Sequence, residues 1–146
     1  MRLPCIFKTD YYLSKRNFYN RLKKEYYKYG KLIIAFDFDD TVYDFHKKGR
    51  SYKKIINLLQ EWQAYSYLIL YTASDESRYE SMKSHLMKNE IYIDAINENI
   101  SKNVPQGGKI YYNVFLDDRA GLNTSYWALK KLIRHIKREN KKCIKM

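Results

Sequence analysis

Cysteine, proline and glycine are all scarce in this chain, with two, two and five residues respectively among 146. The cysteines, Cys5 and Cys143, lie near opposite ends. They offer no zinc-ligand spacing, and in a chain without a secretion signal they are expected as reduced thiols. So few prolines and glycines leave no linker or low-complexity tract. Apolar runs are short as well: none approaches the roughly 20 residues that span a bilayer. The apolar patch around Leu3–Phe7 is too short for a signal-peptide core. A cytoplasmic protein is expected.

Acid is the other deficit, with 16 Asp and Glu against 28 Lys and Arg, a formal net charge of +12. Such an excess favours polyanionic partners through long-range attraction and counterion release. Lys, Tyr, Asn and Ile all have A/T-rich codons, so genome composition is a second source of the same charge. The length suits one domain with one modest core.

What the chain does have is alternating apolar periodicity. Residues 1–30 form a basic, aromatic extension. The spacing of Phe18, Leu22, Tyr26 and Tyr29 predicts a helix over Tyr12–Tyr29 that docks by that stripe. Lys31–Asp37 is a near-continuous apolar run, the pattern of a buried parallel strand. Ile55, Ile56, Leu59 and Trp62 mark a helix over 52–62, and Tyr67–Thr72 a second strand. Ser74 is placed to cap a helix carrying Tyr79, Met82 and Leu86. Ile91–Ile93 reads as a short third strand and Ile110–Leu116 as a further one. Leu122, Tyr126, Leu129, Ile133 and Ile136 mark one face of a long last helix. Strands alternating with helices predict an α/β domain over residues 31–146: a single Rossmann-like parallel sheet sandwiched by helices.

In such a sheet, ligands bind beyond the carboxyl ends of the strands. Two of those ends carry acid: Asp37-Phe38-Asp39-Asp40-Thr41 and Asp117-Asp118-Arg119. On neighbouring strands about 4.8 Å apart, the carboxylates converge. Like charges that close do not all stay ionised without a cation. An all-oxygen donor set selects a hard ion such as Mg2+.

These residues resemble the haloacid dehalogenase superfamily of phosphohydrolases, in its small capless form. A hydrophobic strand leading into DxDxT is matched by Ile33–Thr41. A strand ending in Ser or Thr is matched by Leu68–Thr72, and one ending in paired acids by Val114–Asp118. The resemblance spans roughly residues 31–138. It implies an Asp37 nucleophile that forms an aspartyl-phosphate, and Asp39 as the acid and then base of the two steps. Mg2+ would be held by Asp37, the Asp39 carbonyl and Asp118, with Asp117 acting directly or through water. Thr72 would bind phosphate with a lysine. Lys109 is preferred for that lysine over Lys102. An acid at Asp39 favours phosphoryl transfer over carbon–halogen cleavage.

Neither Val42–Ser51 nor Ala73–Gly108 is long enough for a cap domain, so an open site is expected. His46, Lys47, Arg50 and Arg119 are placed near its rim. The Asp-Asp-Arg strand end also resembles the phosphatase half of polynucleotide kinase–phosphatases. With the positive surface, this favours a nucleotide or nucleic-acid terminal phosphate as substrate. A generic sugar-phosphate or phosphoprotein phosphatase remains an alternative, as does a nucleic-acid-binding protein without turnover.

Overall fold

A computed structural model describes residues 10–144. The chain forms α1 (Lys15–Tyr29), β1 (Leu32–Phe36), α2 (Lys53–Trp62), β2 (Ser66–Leu70), α3 (Tyr79–Lys88), β3 (Ala95–Ile96), β4 (Val114–Leu116) and α4 (Leu122–Ile144), with short 3₁₀ turns before α1, β2 and α3. The four strands make one all-parallel sheet in the order β3-β2-β1-β4. The expected Rossmann-like α/β sheet flanked by helices is present, with all four helices packed on one of its faces rather than on both.

All five residues of β1 are buried, because an internal strand is covered on both faces. The two faces are covered differently. Leu32, Ile34, Phe36, Leu68, Leu70, Val114 and Leu116 share one core with Leu22 of α1, Trp62 of α2, Leu86 of α3 and Leu132 of α4. The opposite face, Ile33, Ala35, Ile69 and Ala95, is packed by Ile100, Val104 and Ile110–Tyr112. That second cover is irregular chain, not a helix.

This explains two shifts from the sequence expectation. Ile110–Tyr112 do not extend β4; their side chains roof the second face, and pairing begins at Val114. Asn113 marks the change: its side chain accepts from Ile33 N at 2.6 Å, and its own N–H donates to Ile33 O at 2.8 Å. Likewise Ile91–Ile93 do not form the third strand. Ile91 is buried, but pairing with β2 falls on Ala95 and Ile96.

The helix of the N-terminal extension is narrower than expected and is part of the main core. Leu22 is fully buried, Phe18 and Tyr26 pack partly, and Tyr29 is exposed. Ser14 caps its start, accepting from Asn17 N at 3.3 Å, and Gly30 ends it with φ 78°. That left-handed turn, which glycine adopts without strain, redirects the chain into β1. Ser74 does not cap α3. Asp75 caps the preceding 3₁₀ turn instead, accepting from Ser77 N at 2.8 Å.

The intervals 42–52 and 73–113 hold loops, α3 and β3, and no separate unit among the described residues. Cys143 is exposed, and Cys5 lies outside the described residues, as does the apolar patch around Leu3–Phe7. No described helix is long and apolar enough to cross a membrane.

Candidate functional site

Register places the acids. Phe36 pairs with Leu116, so the residues that follow each strand, Asp37 and Asp117, emerge side by side at the carboxyl edge of the sheet. Asp37 N donates to Leu116 O at 2.9 Å, which locks the two strand ends together. One carboxylate oxygen from each of Asp37, Asp117 and Asp118 lies within 4.8 Å of the others. Around them opens a cavity of about 580 Å³ whose walls include Asp39, Thr72, Ser74, Tyr71 and Phe115.

The turn after Asp37 is built by one carbonyl. Phe38 O accepts from the N–H groups of Thr41, Val42 and Tyr43 at 3.3, 3.0 and 3.1 Å. Asp40 takes a left-handed φ of 57° within it. Thr41, fully buried, accepts from Asp118 N at 3.2 Å. The threonine of the DxDxT pattern therefore fixes the second acidic strand end against the first, a role that the sequence reading did not assign.

Electrostatics follow from this crowding. Burial, and then repulsion from Asp117, Asp118 and Asp39, overcome a hydrogen bond from the Phe38 amide and push Asp37 from its ordinary 3.8 up to about 6. Asp118 is also raised, by burial and then by Asp117 and Asp40, against the pull of Arg119. Among the described residues, none of the three carboxylates makes an ion pair. Several oxygens with unbalanced charge and no ammonium between them are the donor set of a hard divalent ion, so the residues fit Mg2+.

The raised Asp37 has a consequence for stability. Between about pH 4 and 6 the folded chain holds a proton on Asp37 that the unfolded chain has released, so this group costs stability as pH rises through that window. Asp37→Asn removes the cost. In EDTA, the variant is expected to melt above the wild type at pH 7, with the gap shrinking toward pH 4. A gap independent of pH would refute the raised Asp37.

Thr72, nearly buried, follows β2. Its N–H donates to Asn97 Oδ1 at 2.8 Å, Asn97 Nδ2 returns a bond to Thr72 O at 2.7 Å, and its hydroxyl oxygen accepts from Ser74 N at 3.1 Å. Its hydroxyl proton is left to donate toward the cavity it lines.

Asp39 is held by a residue the sequence reading missed. Arg78 donates to both Asp39 oxygens, at 2.7 and 2.8 Å, and to Ser74 Oγ at 2.6 Å, with its guanidinium 5.0 Å from the Phe45 ring centre. Hydrogen bonding to Asp39 holds the Arg78 pKa above the ordinary arginine value. Asp39, Ser74 and Phe45 all line the cavity, so Arg78 stands directly behind its wall, while Arg119 is the arginine in the lining itself.

The lysines expected for that purpose lie elsewhere. Lys109 does not line the cavity; its ammonium sits 5.6 Å over the Tyr112 ring, which in turn packs on Phe115. Lys102 is exposed in a turn outside the cavity. Of the expected rim, His46 and Arg119 line the cavity, and Lys47 and Arg50 do not. His46 Nδ1 lies 2.5 Å from Asp40 Oδ2, and Tyr52 donates to Asp40 Oδ1 at 3.3 Å. Burial raises Asp40, but the His46 and Tyr52 contacts outweigh it and hold Asp40 below the usual carboxylate range.

No family model and no curated protein matches the chain. Among solved structures, a conserved protein from Bacteroides thetaiotaomicron superposes with a TM-score of 0.56 at 20% identity, over 69% of this chain and 91% of that one. At this identity the likeness speaks to the α/β fold alone.

Proposed function

We propose that the chain is a capless phosphatase of the haloacid dehalogenase type, a Mg2+-dependent phosphomonoesterase that works through an aspartyl-phosphate on Asp37. The observation that carries this reading is the meeting of Asp37, Asp117 and Asp118 across two neighbouring strand ends, with Thr72 at the end of a third strand in the same cavity. Sequence order alone does not guarantee that convergence.

Asp37, Asp118 and the carbonyl of Asp39 would hold the ion, with Asp117 beside them. When bound, Mg2+ would neutralise the acidic cluster and draw charge from the phosphate oxygens. Asp37 attacks phosphorus, forming a P–O bond to its carboxylate as the bond to the leaving oxygen breaks. Thr72 donates to a phosphate oxygen. Asp39 gives the leaving oxygen a proton and then takes one from the water that cleaves the aspartyl-phosphate.

Arg78 governs when Asp39 can do this. While both Asp39 oxygens accept from the guanidinium, neither is free to meet a leaving group. A phosphate dianion carries more charge than a carboxylate and competes for the same guanidinium. In this reading, substrate turns Arg78 toward its phosphate and frees an Asp39 oxygen to face the leaving group. Arg78 then replaces Lys109 as the cation of the site.

The test is a panel of p-nitrophenyl phosphate, nucleoside monophosphates, sugar phosphates and a phosphoserine peptide, with Mg2+ or EDTA. Phosphate release is expected with Mg2+ and none with EDTA. Losing even an outer partner of a metal ligand typically costs about 10–100-fold in affinity; Asp118 would be a direct ligand, so Asp118→Asn is expected to raise the Mg2+ concentration for half-maximal rate by at least about tenfold. Equal rates in Mg2+ and EDTA would defeat the metal assignment. Preference for sugar phosphates or phosphopeptides over nucleotides would favour the generic phosphatase.

A further inference from the structure

The aspartate cavity does not end at Arg119. Asp118 and Arg119 also wall a second cavity of about 640 Å³, which takes in Lys54 and Trp127. Trp127 is shared in turn with a third, of about 460 Å³, between α4 and α1, lined by Tyr19, Arg16 and Lys131. Through these shared walls the three follow one another from the acids to the N-terminal helix.

The composition of this track is uneven. Among the described residues lining the second and third cavities, Asp118 is the sole acid. Lys130 and Lys137, on the same helix, are both paired with Glu61. Lys54, Arg119, Arg16 and Lys131 make no ion pair among the described residues. Lys131 sits 4.3 Å over the Tyr19 ring, which fixes its ammonium in the wall. Trp127 is 54% exposed, while Trp62, the other tryptophan, is fully buried. Its edge rests on Tyr126, with ring centres 5.0 Å apart, so the ring is steadied at the surface.

We propose that this track binds the single-stranded nucleic acid whose phosphorylated end enters the aspartate site. The identity of that end rests on the phosphatase reading above; the track itself does not. Cations spaced along a groove suit a phosphate backbone. An exposed indole beside them suits a base, since stacking tolerates any sequence but requires an unpaired base face. A duplex hides those faces, and a phosphopeptide has no regular ring for Trp127 to meet. The chain's net charge of +12 would steer such a strand inward from a distance.

The test compares Trp127→Ala and Lys131→Glu with the wild type on two kinds of substrate. p-Nitrophenyl phosphate reaches only the aspartates, whereas an eight-nucleotide oligothymidylate with a 3′- or 5′-phosphate also covers the track. Both variants are expected to keep the wild-type rate on the small ester. On the oligonucleotide, Trp127→Ala is expected to lower kcat/KM by about 5- to 150-fold, the loss of one stacked base at ~1–3 kcal/mol. Lys131→Glu should flatten the salt dependence. An oligonucleotide rate that neither variant changes, or a loss equal on both substrates, would overturn the track.

Binding of unphosphorylated oligothymidylate in EDTA, read by fluorescence anisotropy, separates the two readings. Binding that weakens in Trp127→Ala, with no turnover of any substrate, would sink the phosphatase and keep the track. Turnover of p-nitrophenyl phosphate without oligonucleotide binding would do the reverse. Tighter binding of duplex or of a phosphoserine peptide than of the single strand would also overturn the track.

Discussion

Asp37→Asn is expected to lower phosphate release on the order of 10⁴- to 10⁶-fold, with binding of the phosphorylated substrate retained. The amide is nearly isosteric but a far weaker nucleophile, so the covalent step is lost as a whole. The retained binding follows from geometry. Thr72 and Arg78 are anchored by Asn97 and Ser74, and neither depends on a hydrogen bond from the Asp37 side chain. Substitution also removes the buried charge, and with it the repulsion, that raises Asp37, so a misfolded variant is not the expected cause of the loss. The melting comparison in EDTA checks that separately. Turnover that persists in Asp37→Asn within about tenfold would assign the attack to another group.

Asp39→Asn is expected to separate the two chemical steps. General acid–base catalysis typically contributes about 10²- to 10⁴-fold, and the loss should depend on the leaving group. A nucleoside alkoxide needs a proton to depart, so the full loss is expected on nucleoside monophosphates, without an initial burst. p-Nitrophenolate departs with little help. On that ester the first step survives, while the second still lacks the base that activates water. A burst of p-nitrophenol equal to the enzyme, followed by a stall, is therefore expected. Equal losses on both substrates with no burst would remove Asp39 from the acid role and leave it a purely electrostatic neighbour of Arg78.

The fold and the acids were readable because they are written locally. A run such as Leu32–Phe36 buries every side chain, which is the mark of an internal parallel strand, and the residue after it must stand at the sheet's edge. Asp37, Asp117 and Asp118 follow from two such endings. The second cover of the sheet was not legible. Ile110–Tyr112 and Ile91–Ile93 bury apolar side chains as strands do, and only their backbone partners distinguish a roof or a lead-in from a strand. Nothing in apolar spacing encodes those partners.

The cation of the site escaped for a related reason. Lys109 is the expected lysine because its Lys-x-Tyr lead into the Asp-Asp-Arg strand end resembles small members of the family. Yet Tyr112 and its neighbours fold over the second face, and Lys109 goes with them to the Tyr112 ring. Arg78 stands 39 residues from Asp39 and meets it through a 3₁₀ turn that Asp75 caps. A contact of that range between two loops leaves no periodic trace. The one local hint was Ser74 before an arginine four residues on, which was read as a helix cap. The N-terminal helix was legible as an amphipathic element, and its membership in the main core through Leu22 required the tertiary structure.

A crystal grown with Mn2+ in place of Mg2+, with the metal located by anomalous scattering, tests the central claim most directly. One ion is expected, bound by carboxylate oxygens of both Asp37 and Asp118 at distances near 2.0–2.2 Å. An ion elsewhere, or those two carboxylates held apart around an ordinary water, would contradict it.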